Sequence, residues 1–356
     1  MKHVGITWGH PSGAALLVGD EITAAVNEER YSRKKNDVCF PKNTLDYISQ
    51  LAGGTDKISG VGIASLHPSY SSQLLQNTSF SMRDMIREQN EYWRQVFYEH
   101  KDIDMAQTFA NKQVHDQYPQ LYWEEYDPRK QFTYPEDSRC IVADYLGISN
   151  EKVMRIEHHL CHALYAYHGS PYCNEKALVI TIDGWGDGLN ATVSIPRNGQ
   201  LERIYSTDIC VIGRIYSHVT LLMGMKRLEH EYKVMGLAPY AYKSDSRDVF
   251  DIFNALIDVE GIEFVWKNKP KDSYFQFRDA LEGYRFDIIA AGMQHWVEDI
   301  LSRWVANLVK ETGINTLTFS GGVSMNVKAM GVLACLPEVE RMYVPGSGAA
   351  ETTCIG

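Results

Sequence analysis

Residues 157–188 read EHHLCHALYAYHGSPYCNEKALVITIDGWGDG, a histidine cluster followed by an apolar strand and a glycine-rich turn. A helix continuing through Tyr167 puts His158 and His162 four residues apart on one face, the spacing with which two imidazoles grip one metal ion. The run ALVITI at 177–182 is β-branched and apolar, so it reads as a buried strand. It gives way at Asp183 to a loop holding Gly184, Gly186, Asp187 and Gly188. A carboxylate at the C-terminal end of a strand, beside backbone that glycine leaves bare, suits a metal or a phosphate in an α/β protein. Two imidazoles and one carboxylate make a facial donor set for ferrous iron (Fe2+) or a similar divalent ion, with positions left for substrate. The alternative is that His158, His159 and His162 are satisfied surface or core histidines; three within five residues, before this strand and loop, favour the metal.

Downstream, strands are expected at 191–196 and 201–206, with a hairpin across Arg197-Asn198-Gly199. HEYKVMGLAPYA, 230–241, reads as a loop with tight turns at Gly236 and Pro239, and Lys233 faces a phosphate or is merely exposed. Apolar residues at helical intervals over 286–312 predict one long helix. The strand at 317–319 then feeds Ser320-Gly321-Gly322-Val323-Ser324-Met325-Asn326, a strand, glycine turn and helix junction whose N–H groups suit a phosphate or ribose.

Upstream, a short strand at 4–7 ends in Gly9-His10-Pro11-Ser12-Gly13, and further strands at 14–18 and 21–27 flank a Gly19-Asp20 turn. Lobes of the sugar-kinase, actin and Hsp70 type begin this way. EERYSRKKND, 28–37, is a dense mixed-charge run; it is either a solvated turn before a helix at 42–51 or a cleft-facing anion site with Arg30, Arg33, Lys34 and Lys35. Another core strand spans 60–65. From about 69 to 139 the texture turns aromatic and polar, with an amphipathic helix at 82–100, and reads as a helical insertion in the first lobe. Its aromatics pack among its own helices or line an acceptor pocket. A helix at 138–146 leads into the histidine cluster.

Composition sets the limits. With 44% apolar and 22% charged residues the chain is an ordinary globular sequence. A net charge of −10 argues against an extended nucleic-acid surface, which needs clustered Lys and Arg. The seven cysteines are scattered without a CxxC pair, which fits a reducing compartment. No apolar run reaches the length of a bilayer span, and a cytoplasmic protein is expected.

Six ordered motifs, HPSGAALLVGDEITAAVNEERYSRKKND, HHLCHA, IDGWGDG, YKVMGLAPY, DIIAAGMQ and FSGGVSMN, resemble the O-carbamoyltransferases of the nodulation-protein and antibiotic-tailoring type. The resemblance covers nearly the whole chain and corresponds to that family's N-terminal domain, which is similar to the tRNA threonylcarbamoyl-transfer proteins. It implies an actin-like ATPase fold of two α/β lobes, a first lobe over 1–176 with the insertion, and a second over 177–356. It also implies transfer of a carbamoyl group from carbamoyl adenylate to a hydroxyl of a small molecule or modified nucleotide, with carbamoyl phosphate and ATP as the ultimate source. Position by position, His158, His162 and Asp183 match the metal ligands, and His10 matches a histidine that activates the acceptor hydroxyl. Arg33 and Lys35 match the basic segment near the acyl donor, while Gly321, Gly322 and Asn326 match the nucleotide turn.

Two departures stand out. The family's Gly-Asp metal ligand near the last glycine loop is replaced by Ala349-Ala350-Glu351, so Glu351 is the expected substitute. The sequence ends at Gly356, before the closing helix and the C-terminal domain that makes carbamoyl adenylate; that domain, or a separate subunit, is the expected partner, alongside a homodimer. Rival readings are an ATP-hydrolysing or sugar-phosphorylating enzyme of the same superfamily, which the HxxxH pair disfavours, and a non-catalytic or partner-dependent subunit.

Overall fold

The computed structural model describes residues 1–9, 11–38, 40–66, 80–103, 105–109, 112 and 135–356. The chain divides into two compact units, Met1–Tyr165 with Ala350–Gly356, and Ala166–Ala349. The break thus precedes the 176/177 boundary expected above, and the last seven residues return to the first unit. About half of the expected insertion at 69–139 lies outside the described residues. Its helix at 82–100 is present as Met82–Arg87, a π-helical turn Glu88–Trp93 and Arg94–Tyr98 in succession.

In the first unit β1 (Lys2–Thr7), β2 (Gly13–Val18), β3 (Glu21–Asn27), β4 (Gly60–Ala64) and β5 (Val153–Ile156) form one sheet in the order β3-β2-β1-β4-β5. β1, β2 and β3 are joined by short connections and pair antiparallel; β4 and β5 arrive through longer crossovers and pair parallel. Val4 and Ile6 alternate into the core, where they meet Leu45 and Ile48 of the helix Lys42–Leu51 and Val142 of the helix Pro135–Leu146. Residues Ala350–Cys354 form a 3-10 turn against β1. A Cβ on Gly5 would lie 1.8 Å from the Cys354 carbonyl oxygen, so only glycine admits that crossing. Thr7 Oγ1 and Thr353 Oγ1 close the contact at 2.8 Å.

The second unit repeats the plan. β6 (Leu178–Gly186), β7 (Leu189–Arg197) and β8 (Gln200–Thr207) run antiparallel. After a separate hairpin of β9 (Ile257–Glu260) and β10 (Glu263–Trp266), β11 (Thr316–Ser320) and β12 (Arg341–Tyr343) add parallel to β6. The order β8-β7-β6-β11-β12 matches β3-β2-β1-β4-β5 in sequence and in sense. Leu178 to Ile182 is buried at every position, the signature of a strand covered on both faces. The helix Phe286–Thr312 supplies the centre of this core with Trp296, Ile300 and Trp304, and ends where Gly313 turns left-handed at φ 67°.

Two local expectations change. The segment read as a loop at 230–241 is helical over Glu231–Leu237 and then a 3-10 turn at Ala238–Tyr240. Gly236 sits near the helix end and Pro239 inside the following turn, where neither breaks it, and burial of Val234 and Ala238 fixes the segment. The strand expected to stop at Ile182 continues to Gly186, with its register broken between Ile182 and Gly186.

Candidate functional site

The helix His158–His168 begins directly behind Glu157. The Glu157 carboxylate accepts from the backbone N–H of His159 at 3.2 Å and of Leu160 at 2.7 Å, holding the first turn from its N-terminal end. This fixes the axis on which the histidines are hung. His162 Nε2 stands 3.1 Å from His158 Nε2, with ring centroids 4.7 Å apart and planes at 77°. Two nitrogens each about 2.0–2.1 Å from one metal and at right angles about it would be about 3.0 Å apart. The pair therefore fits two neighbouring positions on a divalent ion. His159 and His162 are fully buried; the His159 ring lies 6.4 Å from that of His162 and is not part of the converging pair.

In the second unit Asp183 stands in the irregular part of β6. The ladder pairs Ile182 with Ala191 and Gly186 with Leu189, so Asp183, Gly184 and Trp185 face Asn190 alone. Such a bulge re-aims the side chain it carries. Asp187 and Gly188 close the hairpin with φ of 48° and 89°, the paired left-handed residues of a tight primed turn. One Asp183 oxygen accepts from the Gly322 N–H at 3.1 Å, and the Gly321 N–H donates to the Gly348 carbonyl at 2.8 Å. Both N–H groups that the sequence offered to a phosphate have partners inside the unit.

These glycines are also required by crowding. A Cβ on Gly321 would stand 2.3 Å from the Ile182 carbonyl oxygen, and one on Gly322 2.8 Å from Asp183 Oδ1. Gly213, in the first turn of the helix Ile212–Leu222, approaches Gly184 so closely that a Cβ would meet its backbone at 2.9 Å. Asn326 is buried and caps the helix Val327–Ala334 by accepting from the Ala329 N–H at 3.1 Å. Its amide is further paired with Gln294, which also receives the Tyr216 hydroxyl.

The remaining expected residues fall as follows. Glu28 and Glu29, at the head of the basic run, are buried. Glu28 accepts four hydrogen bonds from Asn43 and Thr44 at the start of the helix Lys42–Leu51. Glu29 is paired with Arg30 at 2.8 Å and Lys35 at 3.2 Å. Burial works to raise the Glu29 carboxyl, yet the Asn36 N–H, Lys35 and Arg30 outweigh it and hold it below the usual range. Arg33 is exposed in a left-handed conformation, φ 59°, after the turn Glu29–Ser32. Lys233 is exposed on its helix, 5.8 Å from the Tyr232 ring. Glu351 lies in the 3-10 turn Ala350–Cys354 of the first unit. His10 lies outside the described residues. Sequence reasoning passed over Glu157, although an acid directly before a helix was a capping signal. It also passed over Asn190, Gly213 and Arg214, whose guanidinium lies 4.8 Å from the Trp185 ring centroid; nothing local marks these.

Residues 2–356 match the family described as carbamoyltransferase N-terminus. The chain belongs to this family. Among its relatives, the uncharacterized protein MJ1051 of Methanocaldococcus jannaschii is 26% identical over 99% of the chain and 56% of that protein. Nodulation protein NolNO of Sinorhizobium fredii is 24% identical over 90% of the chain and 42% of that protein. The chain spans about half the length of these relatives. The crystal structure of full-length HypF, in a phosphate- and nucleotide-bound form, has the same fold over 99% of this chain and 54% of that one, with a TM-score of 0.50 at 11% identity. The fold is that of the actin-like ATPases, as expected, and the repeated five-stranded sheet is its signature here. Among the described residues no helix is long and apolar enough to cross a membrane.

Proposed function

We propose that this family member transfers a carbamoyl group from carbamoyl adenylate to a hydroxyl of a small-molecule or modified-nucleotide acceptor. A divalent ion, with ferrous iron best suited to the donor set, is held by His158 and His162 with Asp183 as the carboxylate partner. The observation that carries the reading is the 3.1 Å convergence of the two imidazole nitrogens in a chain that matches the family from end to end.

In the proposed reaction the acceptor oxygen bonds to the carbamoyl carbon, the bond from that carbon to the adenylate phosphate oxygen breaks, and AMP leaves with the electron pair. His10 takes the acceptor proton. A bound divalent ion supplies Lewis acidity to a carbonyl or phosphate oxygen. Glu157 keeps the two imidazoles in register by capping their helix, so less of the ordering is left to the moment of binding. Lys35 and Arg33 are proposed for the donor's negative charge, and Lys35 must then exchange its partner Glu29. Glu351 is proposed as a further ligand, and Lys233 and the Gly184–Asp187 turn as contacts of the nucleotide.

The test is metal analysis and competitive chelation on the purified chain. About one divalent ion per chain is expected, with affinity at least about tenfold weaker in His158→Ala and His162→Ala, because each removes one of few ligands. Release of AMP from preformed carbamoyl adenylate, measured against a panel of sugars and nucleosides, then identifies the acceptor class. Unchanged metal affinity in both histidine variants would overturn the metal site, and acceptor-independent AMP release would overturn the transfer.

A further inference from the structure

We infer that Asn190 is a positioning residue for Asp183: its side-chain amide replaces the ladder bond that the β6 bulge forfeits, and so sets where the carboxylate points. The inference rests on the reading of Asp183 as a ligand. Its geometry stands within the second unit alone.

Asn190 is the single β7 residue opposite Asp183, Gly184 and Trp185, and it is fully buried. Three residues against one leave that stretch of β6 without regular backbone partners. Asn190 Nδ2 donates to the Gly184 carbonyl at 2.7 Å, a short bond to the residue directly after Asp183. The reverse amide orientation would set Oδ1 against that carbonyl, so the contact itself fixes which end donates. On its far side the amide is unsatisfied: Asn190 Oδ1 is buried without a hydrogen-bond partner. A buried acceptor left unpaired costs stability. A residue selected for stability alone would avoid that cost, and threonine, as at Thr192 two residues on, packs such a strand without it. What Asn190 supplies in return is the fixed Gly184 carbonyl.

The opposite side of Gly184 is closed as well. Gly213 presses on its backbone, and the Asp183 carboxylate is tied to the Gly322 N–H. The Asp183–Gly184 peptide is thus held between the Asn190 amide and the helix Ile212–Leu222, and the Gly322 amide, which donates to the Asp183 carboxylate, reports on its orientation.

That amide provides the test. Amide hydrogen exchange is measured on the full chain for the wild type, Asn190→Leu, which keeps the bulk and loses the donor, and Asn190→Asp, which keeps the shape and loses the N–H. The Gly322 amide is expected to exchange at least about tenfold faster in the Leu and Asp variants, while the amides of Val193 and Phe319 in the neighbouring ladder keep their protection. Divalent-ion affinity of the same variants is expected to fall about tenfold, the size typical of residues that orient a ligand. Gly322 exchange equal to wild type in both variants overturns the inference, as does uniform loss of protection along β6 and β7, which would make Asn190 a stability residue. Because the exchange readout needs no metal, failure of the metal site itself shows separately, in His158→Ala and His162→Ala.

Discussion

The two sheets share one topology and differ at the end of the first strand. β1 keeps its register with β2 through Thr7 and Gly13. β6 loses register inside the strand pair and then closes with a tight Asp187-Gly188 turn. The β1–β2 ladder of the first unit is therefore unbroken, and that sheet's register shift falls between β2 and β3 at Leu16 and Leu17, whereas in the second unit a break lies at the end of the first strand itself and is braced by Asn190, Gly213 and Gly322. The two repeats thus differ in where a defect of a few residues sits. The histidines are placed on the helix after β5, whose first turn is capped by the Glu157 carboxylate.

The cores differ too, and substitution can separate them. Trp296 is fully buried at the centre of the second unit, stacked on Phe253 with centroids 5.7 Å apart. Trp296→Ala should cost about 3–5 kcal/mol in denaturant unfolding, with amide protection lost first in the helix Phe286–Thr312 and β11. The first unit is tested by Gly5→Ala, whose Cβ would collide with the Cys354 backbone. About 1–3 kcal/mol of destabilisation is expected, centred on β1 and residues 350–354. Loss of protection spread equally over both sheets in either variant would show that the repeats unfold as one body, and would break the comparison.

The smallest effect at neutral pH distinguishes the units by titration. His218 donates to or accepts from Ser273 Oγ at 2.7 Å, and burial, with Arg227 and Arg214 nearby, pushes its pKa down to about 3. The unfolded chain binds this proton more readily, with a pKa of about 6.5, so stability rises with pH across this window. The contribution is complete above about pH 6.5 and is lost progressively as pH falls towards about 3. His218→Gln should flatten the fall in melting temperature between pH 6.5 and 4 while changing little at pH 8. An unaltered profile would mean that this histidine is not held neutral by the fold.

Local periodicity and side-chain chemistry determined much of this protein in advance. The helix with bounds 286–312, the hairpins and the HxxxH spacing depend on neighbours within a few residues, and there sequence and structure coincide; the strand read at 177–182 is also present but runs on to Gly186. The histidine pair was legible because a helix is the one common element that brings residues four apart together. What sequence left open depended on residues far away along the chain. The Gly236 and Pro239 signals pointed to a loop until burial of Val234 and Ala238 held the segment helical. The basic run 28–37 acquired its shape from two buried carboxylates, one capping a helix and one drawing Lys35 aside. Glycines 321 and 322 were legible as a bare turn, but their N–H groups were spent on Gly348 and Asp183, and their missing side chains on the crossing with β6. Only the tertiary structure decided these, because burial and close backbone approach are set by what packs against a residue and not by what precedes it.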